Sequence, residues 1–158
     1  MRRILIALVS AALALTLTAC GAGFNASTRQ VKQVTDGVEG TITKDGNQIK
    51  LRNVLIVATA QGAGVLVGTV INDNPEDDAL LGIAINGQVT TLTGASTASL
   101  NLPIIFEGAS ANGKAVVPAL GAKAGSQVPV TFFFARAGGI TVQAIIREPV
   151  DTYAGITA

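Results

Sequence analysis

The side chains best suited to holding a charged ligand lie in one acidic segment, Asp73-Asn74-Pro75-Glu76-Asp77-Asp78. Its carboxylates are the hard oxygen donors that calcium prefers. Because the spacing is not that of an EF-hand loop, Asp73, Glu76, Asp77 and Asp78 form only a weak candidate calcium site. An acidic connection between strands is more often a solvated turn, since loops are polar and exposed. We expect the turn, with calcium binding as the open alternative.

Residues that build soft metal sites and nucleophilic catalytic centres are nearly absent. The chain has no histidine, one cysteine, Cys20, and one methionine, Met1. Histidine is the commonest general base and, with cysteine, supplies most ligands of transition metals. No Ser-x-x-Lys motif replaces this machinery. We therefore expect no catalytic residue, no cofactor and no enzymatic activity.

The first twenty residues have the layout of a secretory signal segment. Arg2 and Arg3 precede an apolar run over residues 4–17, and small residues follow up to Cys20. The run is shorter than the roughly twenty apolar residues of a permanent membrane-spanning helix. Leu17-Thr18-Ala19-Cys20 resembles the lipobox of bacterial lipoproteins. The resemblance implies a diacylglyceryl group on the thiol of Cys20 and cleavage between Ala19 and Cys20.

A lipid on Cys20 would hold the protein at the extracytoplasmic face of the cell membrane. Two acyl chains anchor stably where one binds marginally, because each buried methylene contributes roughly 0.8 kcal/mol. Once acylated, the sulfur of Cys20 would be unable to bind a metal as a thiolate or to form a disulfide bond. The residues that follow are small and polar without a period, so we expect residues 20–34 to form a flexible tether.

The charge of the chain argues against a nucleic-acid ligand. Without Arg2 and Arg3, the 11 basic residues fall to 9 against 10 acidic ones, a net charge of −1. The remaining basic residues are scattered, whereas a nucleic-acid surface needs them clustered. The expected partners are the membrane, through the lipid, and an envelope protein that the sequence does not identify.

Alternating apolar and polar residues, with turn dipeptides between the runs, predict short strands beyond residue 34. The predicted strands are Val38–Thr43, Gln48–Arg52, Val54–Thr59, Gly64–Asn72, Ala79–Ile85, Pro103–Glu107, Val128–Ala135 and Ile140–Arg147. Asp45-Gly46 is a strong hairpin signal, and Phe132 and Phe134 share one face, which we expect to be the core face. The pattern predicts an all-β antiparallel sandwich over residues 35–150 and a loosely ordered tail over residues 151–158.

Three stretches occur in a fixed order between Val54 and Val150. The stretches are Val70-Ile71-Asn72, the acidic segment running into Asp78-Ala79-Leu80-Leu81-Gly82, and residues 123–132 leading to Arg136-Ala137-Gly138-Gly139-Ile140-Thr141-Val142. Together they resemble the periplasmic copper chaperones of the PCu(A)C type and, more closely, the LpqE-like actinobacterial lipoproteins. The resemblance implies a cupredoxin/immunoglobulin-like Greek-key sandwich.

The same resemblance implies where copper ligands would lie. The histidine and methionine ligands of the chaperones fall in regions that correspond to residues 86–93 and 110–120 of this chain. These regions here offer the polar side chains Gln88, Thr90, Thr91, Asn112 and Lys114. Cuprous ion prefers thioether, thiolate or imidazole donors, so no ligand of the family carries over and no metal residue is assigned.

The leading hypothesis is a membrane-anchored, non-enzymatic binding or assembly module of the cell envelope, built on a copper-chaperone-like scaffold without copper ligands. The alternative is a metal-homeostasis accessory protein for copper or calcium at the membrane surface. A third hypothesis, capture of an apolar ligand between the sheets, rests on apolar content alone, and most of that content belongs to the core.

Overall fold

The computed structural model describes residues 35–158. The expected signal segment, the Cys20 lipidation site and the tether over residues 20–34 lie outside the described residues. The strands in chain order are β1 (Val38–Lys44), β2 (Asn47–Ala58), β3 (Gly64–Asn72), β4 (Asp78–Ile85), β5 (Gln88–Val89), β6 (Thr91–Gly94), β7 (Thr97–Ala98), β8 (Ile104–Phe106), β9 (Gly113–Val117), β10 (Gln127–Phe134) and β11 (Gly138–Arg147). A single 3₁₀ turn, Asp151–Tyr153, follows β11 in the predicted tail.

The first hairpin forms as the sequence predicts. Asp45 and Gly46 have positive φ angles of 50° and 78°, which a tight two-residue hairpin turn requires, and Lys44 pairs with Asn47 beside them. The two strands predicted on either side of Asn53 are wrong as separate elements, because β2 runs through both. Asn53 has a φ of 52°, and the pairing of β2 with β3 shifts register between Arg52 and Leu55. A bulge therefore bends one long strand where the sequence indicates a break.

The strands form two layers that share one continuous path of pairing. One layer has the order β5-β4-β10-β11, and the other has the order β2-β3-β8-β9-β6 with β1 on the edge of β2. The layers join where Ile146 and Arg147 of β11 pair in parallel with Ile56 and Val57 of β2. Strand β1 pairs with β2 as far as Val54, and β11 pairs with the same edge of β2 after that residue. The all-β, Greek-key-type sandwich is confirmed, with parallel pairs only at β11–β2 and β8–β9 among the described strands.

The core lies between the layers and is built from alternate positions of the long strands. Phe132 and Phe134 of β10 are buried in it, with 1% and 4% of their surface exposed, which confirms their predicted place. Phe133 between them points to the opposite face and is 46% exposed. Within residues 35–158, no helix is long and apolar enough to cross a membrane.

Candidate functional site

The acidic segment is shaped by one buried amide, that of Asn72 at the end of β3. Asn72 is 1% exposed, and its Nδ2 donates to the carbonyl oxygens of Glu76 at 2.8 Å and Ala98 at 2.9 Å. Its Oδ1 accepts the backbone N–H of Asn74 at 2.9 Å. The backbone is therefore turned by an Asx-type arrangement that needs no bound cation.

Three carboxylates of this segment have partners on other elements of the fold. Asp73 forms an ion pair with Lys50 of β2, and Glu76 forms one with Arg136 in the β10–β11 turn. Asp78 is 3% exposed and accepts the backbone N–H groups of Arg136 and Ala137, each at 2.9 Å. Asp73 thus contacts β2, whereas Glu76 and Asp78 both contact the β10–β11 turn.

Arg136 completes this contact by donating to the backbone carbonyl of Asp77 at 3.2 Å. In the described part of the chain, no three Asp, Glu, His or Cys side chains lie together in a way that could hold a metal ion. The arrangement can fasten the β3–β4 connection to the β10–β11 turn. Sequence analysis does not predict this structural role of Asp78, because Arg136 and Ala137 lie far from it along the chain.

The two regions that correspond to the copper-ligand regions meet in the structure. Strand β6 pairs with β9, with Thr91 opposite Val116 and Thr93 opposite Lys114. The resemblance therefore identifies two segments that share one surface. This surface, around β6 and β9, is the candidate functional site.

The polar side chains of this candidate site bind the backbone rather than a shared centre. Gln88 Nε2 donates to the carbonyl of Ala119 at 2.6 Å, and the buried hydroxyl of Thr90 donates to the carbonyl of Ile83 at 3.0 Å. Asn112 is used twice: its Oδ1 accepts the N–H of Ile105 at 2.8 Å, and its Nδ2 donates to the carbonyl of Pro103 at 2.9 Å. These hydrogen bonds tie the candidate site to strands β4 and β8 and to the segments around Pro103 and Ala119. The only atoms that these side chains could offer a metal are oxygens and amide nitrogens.

A shallow cavity of about 290 Å³ opens beside these strands, lined by Thr93, Glu107, Lys114 and their neighbours. Lys114 Nζ lies 3.9 Å from Glu107 Oε1, so the two opposite charges in the cavity face each other. Gly94 closes its edge with a φ of 84°, and a Cβ at Gly94 would lie 2.3 Å from the carbonyl oxygen of Asn112. Only glycine fits that approach.

A second cavity of about 460 Å³ lies where the chain leaves β11. Asp36 bridges its two sides, because its Oδ2 lies 3.2 Å from Arg147 Nη2 and accepts the hydroxyl of Tyr153 at 3.2 Å. Burial raises the pKa of the Tyr153 hydroxyl above its ordinary value of 10.0, the Asp36 carboxylate raises this pKa further, and the charge of Arg147 lowers it. The hydrogen bond between Tyr153 and Asp36 joins residues 117 positions apart, and no local sequence pattern predicts it.

Among solved structures, the fold is similar to PCuAC domains. The copper-bound PCuAC domain from PmoF2 superposes with a TM-score of 0.58 at 17% identity, covering 71% of this chain and 99% of that one. The apo PCuAC domain from PmoF1 gives the same TM-score and identity, with 71% and 100% covered. The apo PmoF2 domain gives 0.54 at 16% identity, with 65% and 92% covered. Neither a protein-family model nor a curated protein matches the sequence.

These neighbours confirm the copper-chaperone-like outline that the sequence predicts. At 17% identity the likeness carries the fold and no ligand residue. What the surface around β6 and β9 can do chemically is then decided by its own side chains. They offer hydroxyls, amides and one Lys–Glu pair, and no sulfur or imidazole.

Proposed function

We propose that this protein is a lipid-anchored module of the cell envelope, exported and held through Cys20, whose sandwich binds or assembles other envelope components without catalysis. The anchor is supported by the sequence, in which the only cysteine directly follows an apolar run and Ala19. The non-enzymatic role is supported by a chain without histidine and with its single thiol at the expected lipidation site.

The observation that carries the proposal is the chemistry of the surface around β6 and β9. Gln88, Thr90 and Asn112 form hydrogen bonds with backbone groups of adjoining strands and loops. A cuprous site needs several soft donors that converge within bonding distance. A scaffold similar to a copper-binding domain therefore serves a function that does not require cuprous ion.

The alternative function, a metal-homeostasis accessory, is favoured by the likeness to a copper-bound domain. An accessory of this kind would act beside a metal carrier, or would hold a hard cation at carboxylates such as Asp73 and Asp77. Equilibrium dialysis of the protein from residue 21 onward against a panel of metals separates the two functions. Stoichiometric retention of calcium or copper would favour the accessory.

The anchor is tested with the variant Cys20→Ser. Serine offers no thiol for acylation, so this variant should lack acyl groups and should keep residues 1–19 uncleaved, and mass spectrometry measures both. Ser27→Ala is the control, because it changes a nearby hydroxyl and keeps the thiol of Cys20. A lipid-modified Cys20→Ser protein, or a Ser27→Ala protein without lipid, would contradict the anchor.

A further inference from the structure

One outer face of the sandwich carries no charged side chain except that of Arg147 at the end of β11, which pairs with Asp36. Strands β5 and β10 contain no Asp, Glu, Lys or Arg; β4 contains only Asp78, which is buried, and β11 contains only Arg147, its last residue. By contrast, the adjacent strands β1 and β2 of the other layer contain four charged residues, Glu39, Lys44, Lys50 and Arg52. Strands β1 and β2 thus present more charge to their surroundings than the face formed by β4, β5, β10 and β11.

Large apolar side chains stand out from this uncharged face. Phe133 is 46% exposed, Leu81 is 68% exposed and Val89 is 79% exposed. Phe133 pairs with Gly82 on β4 and with Gly139 on β11, so it has a residue without a side chain on each side. A Cβ at Gly82 would meet no atom within 4 Å, which leaves the ring prominent above the sheet.

The remaining outward positions of the face are small or uncharged. Thr131 pairs with Thr141 on one side and with Ala84 on the other, and Ala84 pairs with Val89. The hydroxyls of Thr131 and Thr141 lie 2.8 Å apart, so one of them donates a hydrogen bond to the other. An apolar medium placed against this face therefore meets no unpaired charge, and the polar side chains it meets on β10 and β11, such as Gln127 and Gln143, are neutral.

We propose that this uncharged face, the outer surface of β4, β5, β10 and β11, lies on the lipid surface to which Cys20 anchors the protein. The occupant is a zwitterionic bilayer, and the contact is made by Phe133, Leu81 and Val89 at the boundary between headgroups and acyl chains. This inference rests on the lipid anchor of the proposed function.

The length of chain before the described domain permits this contact. Fifteen residues, 20–34, separate the anchored cysteine from the first described residue, and fully extended they reach at most about 50 Å. Such a tether keeps the domain at high effective concentration near the bilayer, so a weak preference of one face is enough to orient it. An uncharged face is the one that loses least solvation on contact.

A second copy of the chain fits this face less well. Strands β4, β10 and β11 have 8, 8 and 10 residues, and at a spacing of about 4.8 Å they give, together with the two-residue β5, a face of roughly 400 Å². A stable protein interface buries about 800 Å² on each partner. The face is too small for a lasting dimer, whereas contact with a bilayer has no such threshold once the lipid supplies the affinity.

Tryptophan fluorescence tests the orientation, because the chain contains no tryptophan of its own. The lipidated full-length protein with Phe133→Trp, or with Val89→Trp as a second probe position, is reconstituted into phosphatidylcholine vesicles with or without brominated acyl chains. Thr43→Trp on β1, an exposed position of the other layer, is the matched control. We expect brominated lipid to quench Phe133→Trp and Val89→Trp several-fold more than Thr43→Trp.

Quenching that is equal at all three positions, or absent at Phe133 and Val89, would overturn the orientation. Emission that is blue-shifted but unquenched, and that depends on the density of protein in the vesicle, would show that a second copy covers the face instead. Flotation of the same vesicles reports the anchor separately. Protein that floats without preferential quenching refutes the orientation alone, and protein that does not float refutes the proposed function with it.

Discussion

The carboxylate of Asp78 accepts the backbone N–H of Ala137 at 2.9 Å, across 59 residues of chain. The same carboxylate accepts the N–H of Arg136 at 2.9 Å. A buried carboxylate that accepts two backbone N–H groups holds β4 against the β10–β11 turn, because hydrogen bonds to a charged acceptor are stronger than those between neutral groups. The acidic segment of this protein is therefore best understood as a structural link between β4 and the β10–β11 turn.

Asp78→Asn should lower the free energy of unfolding by roughly 1–3 kcal/mol, because the amide keeps one acceptor and sets an NH₂ group against a backbone N–H. Chemical denaturation measures the change. Asp77→Asn is the matched control, since Asp77 is exposed and contributes only its backbone carbonyl to Arg136. Equal effects of the two variants would contradict the role assigned to Asp78.

Gly94→Ala should destabilise the pairing of β6 with β9. The substitution places a methyl group against the carbonyl oxygen of Asn112 and also holds alanine at a φ of 84°. Overpacking costs about 1–3 kcal/mol and the left-handed backbone about 1–2 kcal/mol. Gly87→Ala shares the backbone cost at a φ of 78° but meets open space, so the difference between their unfolding free energies isolates the clash. No difference would refute the close approach.

The single tyrosine allows a direct titration of the contact between Tyr153 and Asp36. Tyrosinate absorbance should show a midpoint above 10.0, because burial first and the Asp36 carboxylate second raise the pKa of Tyr153. Asp36→Asn should bring the midpoint down toward 10.0, and Arg147→Gln should move it up, since the charge of Arg147 lowers this pKa. Shifts in the same direction for both variants would contradict the geometry.

The raised pKa has a consequence for stability. Because the folded protein favours neutral Tyr153, this contact stabilises the fold at pH values below the ordinary pKa of 10.0. The contribution is lost as the pH rises through the higher pKa of the folded state. As the pH rises from 10.0 through the pKa of the folded state, the unfolding free energy of the wild type should therefore fall more than that of Tyr153→Phe.

The long strands could be predicted because each carries its own period-two pattern. Strands β3, β10 and β11 lie within a residue or two of their predicted bounds. The short strands β5, β6, β7 and β9 were not predicted, because two to five residues carry too little pattern. Their pairing with longer neighbours makes them strands, as the register of β6 with β9 shows.

The candidate site was predictable only in part. The family resemblance placed two segments of interest, and the structure pairs them through Thr93 and Lys114. The contacts that fasten the loops, such as Asp78 with Arg136 and Asp36 with Tyr153, depend on residues brought together by the fold. Such long-range contacts leave no local spacing that a single sequence could reveal.

We predict that this sandwich, although similar to a copper-bound PCuAC domain, does not bind cuprous ion. A competition titration with a chromophoric cuprous chelator under reducing conditions tests it, using the protein from residue 21 onward, which has no thiol, thioether or imidazole. We predict that the chelator keeps its copper at every protein concentration, and that the carboxylates of Asp73, Glu76 and Asp77 take at most calcium, weakly. Stoichiometric removal of copper from the chelator would contradict the claim.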